Sequence, residues 1–240
     1  MSKQVALFDW SLEIDADMVL RGQGANPAVI RQRRPGLVEI AEEAIREGLA
    51  LITPAVVYRI LPVESLRHET FSLAGGVRLS GAPLAQHLAA AQQVAIIVCT
   101  LGNALEQRVS ALLPSDPAYA FALDGFGSAA VEAIGVAICL KLEAGFMAEG
   151  LFTSVPLSPG IIGWPVDDGQ SQIFSALDAS QIGVWLNESA HMIPHKSASL
   201  ILGASTSPFN AGRTCDFCGL RETCRYQNHQ AAFGGTTAHF

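Results

Sequence analysis

A long, charge-poor stretch at residues 119–143 constrains the fold more than any other part of the sequence. It is rich in Ala and reads as one helix, and its few charges include Glu132 and Lys141. A helix that is apolar on most sides has to be buried by other elements. Its small residues would let neighbouring backbones approach closely; they are Gly127, Ala129, Ala130, Ala133 and Gly135. We therefore predict a layered domain built around this helix.

The rest of the chain supplies strands as well as helices. Residues 94–100 form an apolar run and residues 196–203 alternate toward an apolar end, and both patterns predict strands. Residues 71–79 alternate around a Gly-Gly pair, which predicts a hairpin. Residues 37–48 place apolar side chains at helical spacing and end in Gly, a typical helix C-cap. Because strands and helices do not alternate regularly, the sequence favours an α+β fold over a doubly wound sheet.

Composition excludes several classes of protein. Of the 240 residues, 50% are hydrophobic and only 15% are charged, which excludes intrinsic disorder. The formal net charge of −7 argues against a nucleic-acid binder, and the Arg cluster at residues 31–34 is too short to reverse that charge balance.

The apolar runs of the sequence are too short, or carry too many charges, to form a membrane-spanning helix. The N-terminus carries acids where a signal peptide has its apolar core, so we expect a cytoplasmic protein.

The five cysteines divide into two groups. Cys99 and Cys139 lie in apolar runs and are predicted to be small buried hydrophobic residues. Cys215, Cys218 and Cys224 form C-D-F-C-G-L-R-E-T-C, in which the Cys-x-x-Cys pair can direct two thiolates at one metal. Three thiolates are one ligand short of a closed zinc site or a four-iron cluster.

The chemistry of this motif stays open between an iron–sulfur cluster and zinc. Reduced surface thiols, or a redox disulfide within the Cys-x-x-Cys pair, are further alternatives. Arg213, Arg221 and Arg225 surround the motif and would stabilise an anionic centre. We therefore predict a main domain over residues 1–208 and a metal- or cluster-binding tail over residues 209–240.

Two segments before the tail are unusual for plain linkers. The first reads S-P-G-I-I-G-W-P-V-D-D, and its Pro159-Gly160 pair predicts a tight turn, because Pro fixes φ and Gly permits positive φ. Backbone N–H groups in such a turn can bind a carboxylate, and Trp164 offers a stacking face. The second, residues 186–199, reads L-N-E-S-A-H-M-I-P-H-K-S-A-S. Its two His flank Pro194, which argues against a helical metal site.

Both segments resemble the activation (reactivation) domain of cobalamin-dependent methionine synthase, in particular small stand-alone relatives that end in a Cys-rich tail. Three further motifs occur in the expected order: D-M-V-L-R-G-Q-G near Asp17, T-L-G-N-A-L-E at Thr100 and D-G-F-G-S-A-A-V-E-A at Asp124. The resemblance covers most of the chain. It implies an α+β fold with a curved mixed or antiparallel sheet and long packed helices, followed by the small tail.

The resemblance also implies a function. The family binds S-adenosylmethionine and holds it over a corrinoid carried by another domain. When cobalt(I) is oxidised to cobalt(II), one electron and the methyl group restore methylcobalamin. Matching the family's motifs, together with the neighbouring side chains, gives the expected cofactor-binding residues: Glu132, Ser158, Pro159, Gly160, Ile161 and Trp164.

Two positions depart from the family pattern. The family typically has Arg two residues before the Ser of the turn and Tyr directly after its Gly, where this chain has Pro156 and Ile161. An Arg could pair with the carboxylate of S-adenosylmethionine, and a Tyr supplies a stacking face and a hydroxyl. This chain supplies neither group at these positions.

Two hypotheses of function follow. The first is an accessory protein that reactivates or services a corrinoid-dependent methyltransferase, docks on the corrinoid-binding protein, and passes an electron from an iron–sulfur cluster in its tail. The second is a non-catalytic scaffold of the same fold with structural zinc and a degenerate pocket. An ordinary methyltransferase is a weaker option, because no strand–Gly-rich loop–helix signature occurs.

Overall fold

The fold combines one antiparallel sheet with packed helices, as the sequence predicts. A computed structural model describes residues 3–210, 212, 214–218 and 222–223. The strands are β1 (Val5–Leu7), β2 (Ala55–Arg67), β3 (Thr70–Leu73), β4 (Val77–Ser80), β5 (Gln93–Thr100), β6 (Phe152–Thr153), β7 (Trp185–Leu186), β8 (Met192–Ile193) and β9 (Ser197–Ser205). The helices are α1 (Ala16–Gly22), α2 (Pro27–Arg33), α3 (Gly36–Leu51), α4 (Ala82–His87), α5 (Ala104–Leu112), α6 (Pro117–Ala148) and α7 (Val166–Ala176).

The main sheet runs in the order β4-β3-β2-β5-β9-β6, and β1 also pairs with β2. All of its pairings are antiparallel. Strand β5 lies at the centre, and Ile96 is opposite Arg59 of β2 and Ile201 of β9. The predicted hairpin is β3–β4, which extends the second half of β2. β7 and β8 form a separate two-stranded ribbon.

Each face of the sheet carries its own hydrophobic core. Alternation along β5 sends Ile97 and Cys99 toward the core that α6 dominates. The intervening Ile96 and Val98 point to the opposite core, which contains the β3–β4 hairpin, α4 and α7. A sheet buried on both faces explains why β5 is apolar at consecutive positions instead of alternating with polar residues.

Helix α6 confirms the prediction of a long buried helix and exceeds the predicted length at both ends. The Asp116 carboxylate caps it by accepting the N–H of Tyr119 at 3.0 Å, and Pro117 occupies the first turn. A Cβ at Gly127 would lie 2.7 Å from Leu105 Cδ2 and 2.9 Å from Lys196 Cε. The absence of a side chain at this position therefore lets α5 and the start of β9 pack directly on the helix.

By length and composition, α6 is long and apolar enough to span a membrane. The charges in this stretch had argued against a membrane span. In the fold, 56% of its most apolar 18-residue window is buried inside the protein. A core helix of a folded domain meets the same test. The apolar character of α6 is accounted for by its packing against α1, α3, α5 and β9.

Cys99 and Cys139 lie in the core between β5 and α6, as predicted for small buried hydrophobic residues. Their exposed fractions are 0% and 1%. Burial raises the pKa of each thiol to about 12, because the thiolate would lose its hydration. Both therefore remain protonated and belong to the packing of the core.

Candidate functional site

The predicted ligand turn leaves the outer edge of β9. Leu157 pairs with Ile201, and each backbone N–H donates to the other's carbonyl, at 3.0 and 2.8 Å. The chain then turns at Ser158 away from the sheet. This places the turn beside the first half of β9, the strand that begins in the motif P-H-K-S-A-S.

The turn itself has the predicted left-handed glycine, since Gly160 has a φ of 100°. Its backbone donors are used internally. The Gly160 N–H donates to the Trp164 carbonyl at 2.8 Å, and the Ile161 N–H donates to the Ser158 carbonyl at 3.4 Å. These two N–H groups are therefore engaged inside the turn, and a carboxylate that bound them would have to displace the Trp164 and Ser158 carbonyls as acceptors.

Trp164 supports the turn from within the core. Its exposed fraction is 0%, whereas the sequence suggested a stacking face. The indole fits against two glycines: a Cβ at Gly81 would lie 3.1 Å from the ring, and one at Gly169 would lie 2.9 Å from it. A ligand cannot reach the ring face in this structure. Trp164 therefore holds the turn in place without presenting a binding surface.

The two positions that depart from the family pattern are also buried. Pro156 lies in the buried segment before the turn, and the exposed fraction of Ile161 is 6%. Ile161 packs in the core on the α7 side of the sheet. Both residues therefore contribute apolar packing where an Arg or a Tyr would add polar groups.

Glu132 lies on α6 where that helix crosses the first half of β9. Gly127 lies next to Lys196, and a Cβ at Gly135 would contact Leu200. Glu132 falls between these two points along the helix and is half-buried. Along the helix it is therefore level with the first half of β9, on the α6 face of the sheet, whereas the turn packs on the α7 face.

A polar cluster at the start of β9 joins three of the motifs. The Lys196 ammonium lies 2.8 Å from Asp124 Oδ1 and donates to Ser128 Oγ at 3.0 Å. Glu106 accepts the backbone N–H of Lys196 at 2.6 Å, and its other oxygen lies 3.1 Å from His195 Nδ1. The Lys196 side chain is only 15% exposed. His195 and Lys196 belong to the quoted segment 186–199, and Glu106 and Asp124 lie in two other quoted motifs, but the sequence pattern does not reveal that they pair.

The Cys-x-x-Cys pair contacts the turn directly. A 3₁₀ turn spans Thr214–Phe217, and the Cys218 N–H donates to the Cys215 carbonyl at 3.3 Å. Cys218 forms an antiparallel bridge with Ile161, and both cysteines are half-buried. This tight turn suits two thiolates that share a metal. Cys224 and the predicted neighbours Arg213, Arg221 and Arg225 lie outside the described residues.

Within the described part of the chain, no three His, Cys, Asp or Glu side chains form a group that could hold a metal ion. Of the three predicted ligands, Cys215 and Cys218 are described, and Cys224 lies outside the described residues. The metal site therefore remains a prediction.

A separate recess of about 680 Å³ lies between α1 and α2. Arg21 and Asp17 line it, and Asp17 pairs with Arg31 at 2.6 Å. The Nε of Arg21 is buried and has no hydrogen-bond partner among the described residues. Sequence reasoning missed this recess, although D-M-V-L-R-G-Q-G supplies its wall.

Comparison with known proteins identifies the fold. No family model matches the chain, and no curated protein matches it in sequence. A crystal structure of the MetH reactivation domain bound to AdoHcy superposes with a TM-score of 0.61 and 11% sequence identity. The match covers 84% of this chain and 78% of that one. The protein therefore shares the α+β fold of the MetH reactivation domain.

Proposed function

We propose that this protein binds S-adenosylmethionine and services a corrinoid-dependent methyltransferase by restoring its methylated corrinoid. The main support is the structural match over 84% of the chain to a reactivation domain that binds AdoHcy, the demethylated form of this ligand. The motifs quoted from the sequence add to it, because three of them meet in the polar cluster at the start of β9.

The ligand would lie along the outer edge of β9, between the turn and α6. Ser158 and the exposed Gly160 would line it on one side. Glu132 would lie on the other side, where a carboxylate can accept hydrogen bonds from ribose hydroxyls or from the ligand's ammonium group. Ile161 and Trp164 would act indirectly, by fixing the turn from the core.

The tail would supply the redox partner. Cys215, Cys218 and Cys224 would hold an iron–sulfur cluster that delivers one electron. On the partner, that electron and the methyl group of the sulfonium convert cobalt(II) to methylcobalt(III), and the sulfonium leaves as the thioether S-adenosylhomocysteine. The chain's own role would be to bind the sulfonium ligand and to hold it against the docked corrinoid protein.

The partner would dock where the ligand site opens. Phe121 is 56% exposed and the side chain of Asp124 is 46% exposed, one helical turn apart on α6. Such a mixed apolar and acidic surface beside the site suits contact with a second protein. A partner that binds here would reach the same end of β9 as the proposed ligand.

The cluster is tested by purification without air, followed by metal analysis, visible absorption and EPR spectroscopy. We expect iron, sulfide and a brown protein whose spectrum bleaches on reduction. A colourless protein with one zinc per chain would remove the electron-transfer role.

Ligand binding is tested by calorimetry with S-adenosylmethionine and S-adenosylhomocysteine. We expect Glu132→Gln to weaken binding roughly tenfold or more, because it removes a charged hydrogen-bond acceptor. The matched control is Glu149→Gln, which removes the same charge at the exposed C-terminal end of α6. Equal effects of the two variants would contradict the assignment of Glu132.

A second candidate function is a scaffold of the same fold with structural zinc and no adenosyl ligand. Specific observations favour it: Pro156 and Ile161 are buried apolar residues, and the turn uses its own N–H groups. The same two experiments separate the candidates. Zinc without measurable binding of either ligand supports the scaffold, whereas iron with clear micromolar binding supports the accessory role.

A further inference from the structure

The Cys-x-x-Cys pair and the predicted ligand turn are joined by main-chain pairing. Cys218 and Ile161 form an antiparallel bridge, although they are far apart in the sequence. Opposed residues in such a pair have Cα atoms about 4.5–5.5 Å apart. A metal bound to the Cys218 thiolate would therefore lie within about 10 Å of the Ile161 Cα atom.

Ile161 is fixed on the other side by the turn. Its N–H donates to the Ser158 carbonyl at 3.4 Å, and its carbonyl accepts the Trp164 N–H at 3.0 Å. The Cys218 N–H in turn donates to the Cys215 carbonyl at 3.3 Å. A continuous series of main-chain contacts thus runs from Cys215 through Ile161 to both ends of the turn.

We infer that metal binding at Cys215 and Cys218 is coupled to the conformation of residues 158–164, so that the metal-bound tail stabilises the turn in the conformation described above. A metal cross-links the two thiols and restricts the 3₁₀ turn between them, and the bridge passes this restriction to Ile161. By linkage, an adenosyl ligand bound at the turn strengthens metal binding by the same factor. The inference rests on the metal site of the proposed function.

The first test is hydrogen exchange of the turn, which requires no adenosyl ligand. The reduced, metal-free protein is compared with the same protein loaded with Zn²⁺, and mass spectrometry follows the amides of residues 158–164. We expect zinc to slow their exchange roughly tenfold, within the usual range of coupling between sites. The amides of the β3–β4 hairpin provide an internal control that zinc leaves unchanged.

Variants separate coupling from general stabilisation. Cys218→Ser abolishes the zinc-dependent slowing, whereas Asp216→Ser, an exposed change within the same motif, preserves it. Ile161→Pro removes the N–H that Ile161 donates to the Ser158 carbonyl, which separates the bridge from the rest of the turn; zinc still binds but no longer slows exchange in the turn. Circular dichroism checks that each variant is folded. If Ile161→Pro does not fold, the comparison of metal-free and zinc-loaded wild-type protein still tests the inference.

The outcomes distinguish this inference from the proposed function. Zinc binding with unchanged exchange at residues 158–164 overturns the coupling and leaves the proposed ligand site intact. Slowed exchange without any binding of S-adenosylhomocysteine supports the coupling and removes the ligand part of the proposed function. Absence of zinc binding by the reduced protein overturns the inference together with the proposed metal site. If S-adenosylhomocysteine binds, zinc should increase the affinity for S-adenosylhomocysteine by a certain factor. S-adenosylhomocysteine should increase the affinity for zinc by the same factor.

Discussion

At the scale of single residues, Glu47 shows how the fold alters a titrating group. The Arg108 guanidinium and the Tyr119 hydroxyl both donate to its carboxylate, and the hydrogen bond from Arg108 is the larger cause of its lowered pKa. Burial raises the pKa of Tyr119, and its hydrogen bond to the charged Glu47 raises it further, whereas the Arg108 charge lowers it. Three helices, α3, α5 and α6, thus meet at one small network.

This network predicts a pH dependence of stability. Because the pKa of Glu47 is lowered in the folded state, its stabilisation is present above the ordinary Glu value of 4.5 and is lost as the pH falls through the folded value. Glu47→Gln should cost about 1 kcal/mol at neutral pH, since the carboxylate is partly exposed, and the difference from wild type should vanish in acid. Urea titrations from pH 7 to acid, with exposed Glu42→Gln as control, measure it. An equal loss at every pH would contradict the prediction.

Single residues also show where the sequence misleads. Trp164 and Ile161 lie in a motif that resembles a ligand-binding segment, yet both are buried. The burial of Trp164 depends on Gly81 and Gly169, which leave room for the indole. Nothing in the local pattern distinguishes a Trp that stacks on a ligand from one that fills the core, because the deciding contacts are remote in sequence.

At the scale of elements, α6 was predictable because a helix that is buried on several sides carries few charged residues along its length. Its neighbours were not predictable from its own sequence. The small residues indicated a close approach, but only the tertiary structure identifies Leu105 of α5 and Lys196 before β9 as the groups that approach Gly127.

The glycines of α6 provide a matched test. Gly127→Ala places a methyl group 2.7 Å from Leu105 Cδ2, and we expect a loss of about 1–3 kcal/mol from overpacking. Gly145→Ala lies on the same helix with no atom within 4 Å of the new Cβ, and should stabilise by about 0.5–1 kcal/mol through helix propensity. Denaturant unfolding measures both changes. Changes of the same sign would show that close packing at Gly127 is not decisive.

The link between α6 and β9 gives a second prediction at this scale. We expect a double-mutant cycle of Lys196→Met and Asp124→Asn to give a coupling energy of about 1 kcal/mol, because the ammonium is largely shielded from water. Arg31 and Asp17 form a more exposed pair, at 53% and 32%, and provide the control with a smaller coupling. Chemical unfolding of the four single and two double variants measures both cycles. A larger coupling for the control pair would contradict the role assigned to burial.

At the scale of the whole molecule, the buried side chains of both hydrophobic cores lie between Leu12 and Ala204 among the described residues. The partly buried side chains packed against them extend, in the same part of the chain, to Phe209. The division into residues 1–208 and 209–240 stays a prediction from the cysteine motif, and Phe209, the first residue of the predicted tail, packs against the core on the α7 side.

Truncation tests the division. A chain ending at Asn210 should fold cooperatively with unchanged circular dichroism, because it keeps both cores. Loss of the Cys218 bridge uncovers Ile161, so we expect a loss of about 1 kcal/mol, or roughly 2–4 °C in Tm for a chain of this size. Thermal unfolding of the truncated and complete chains measures it. Aggregation or non-cooperative unfolding of the shorter chain would show that the tail is part of the main domain.

The sequence by itself determined the elements with the clearest patterns, which are α3, α6, β5, β9 and the β3–β4 hairpin. It also determined the burial of α6, β5 and the core cysteines, and the α+β class, because periodicity and composition report local structure and burial. Only the tertiary structure decided that Lys196 meets Asp124, that Trp164 is buried, and that Cys218 pairs with Ile161. These contacts join residues far apart in the chain. Their formation depends on how the sheet and helices pack, which no short stretch of sequence encodes.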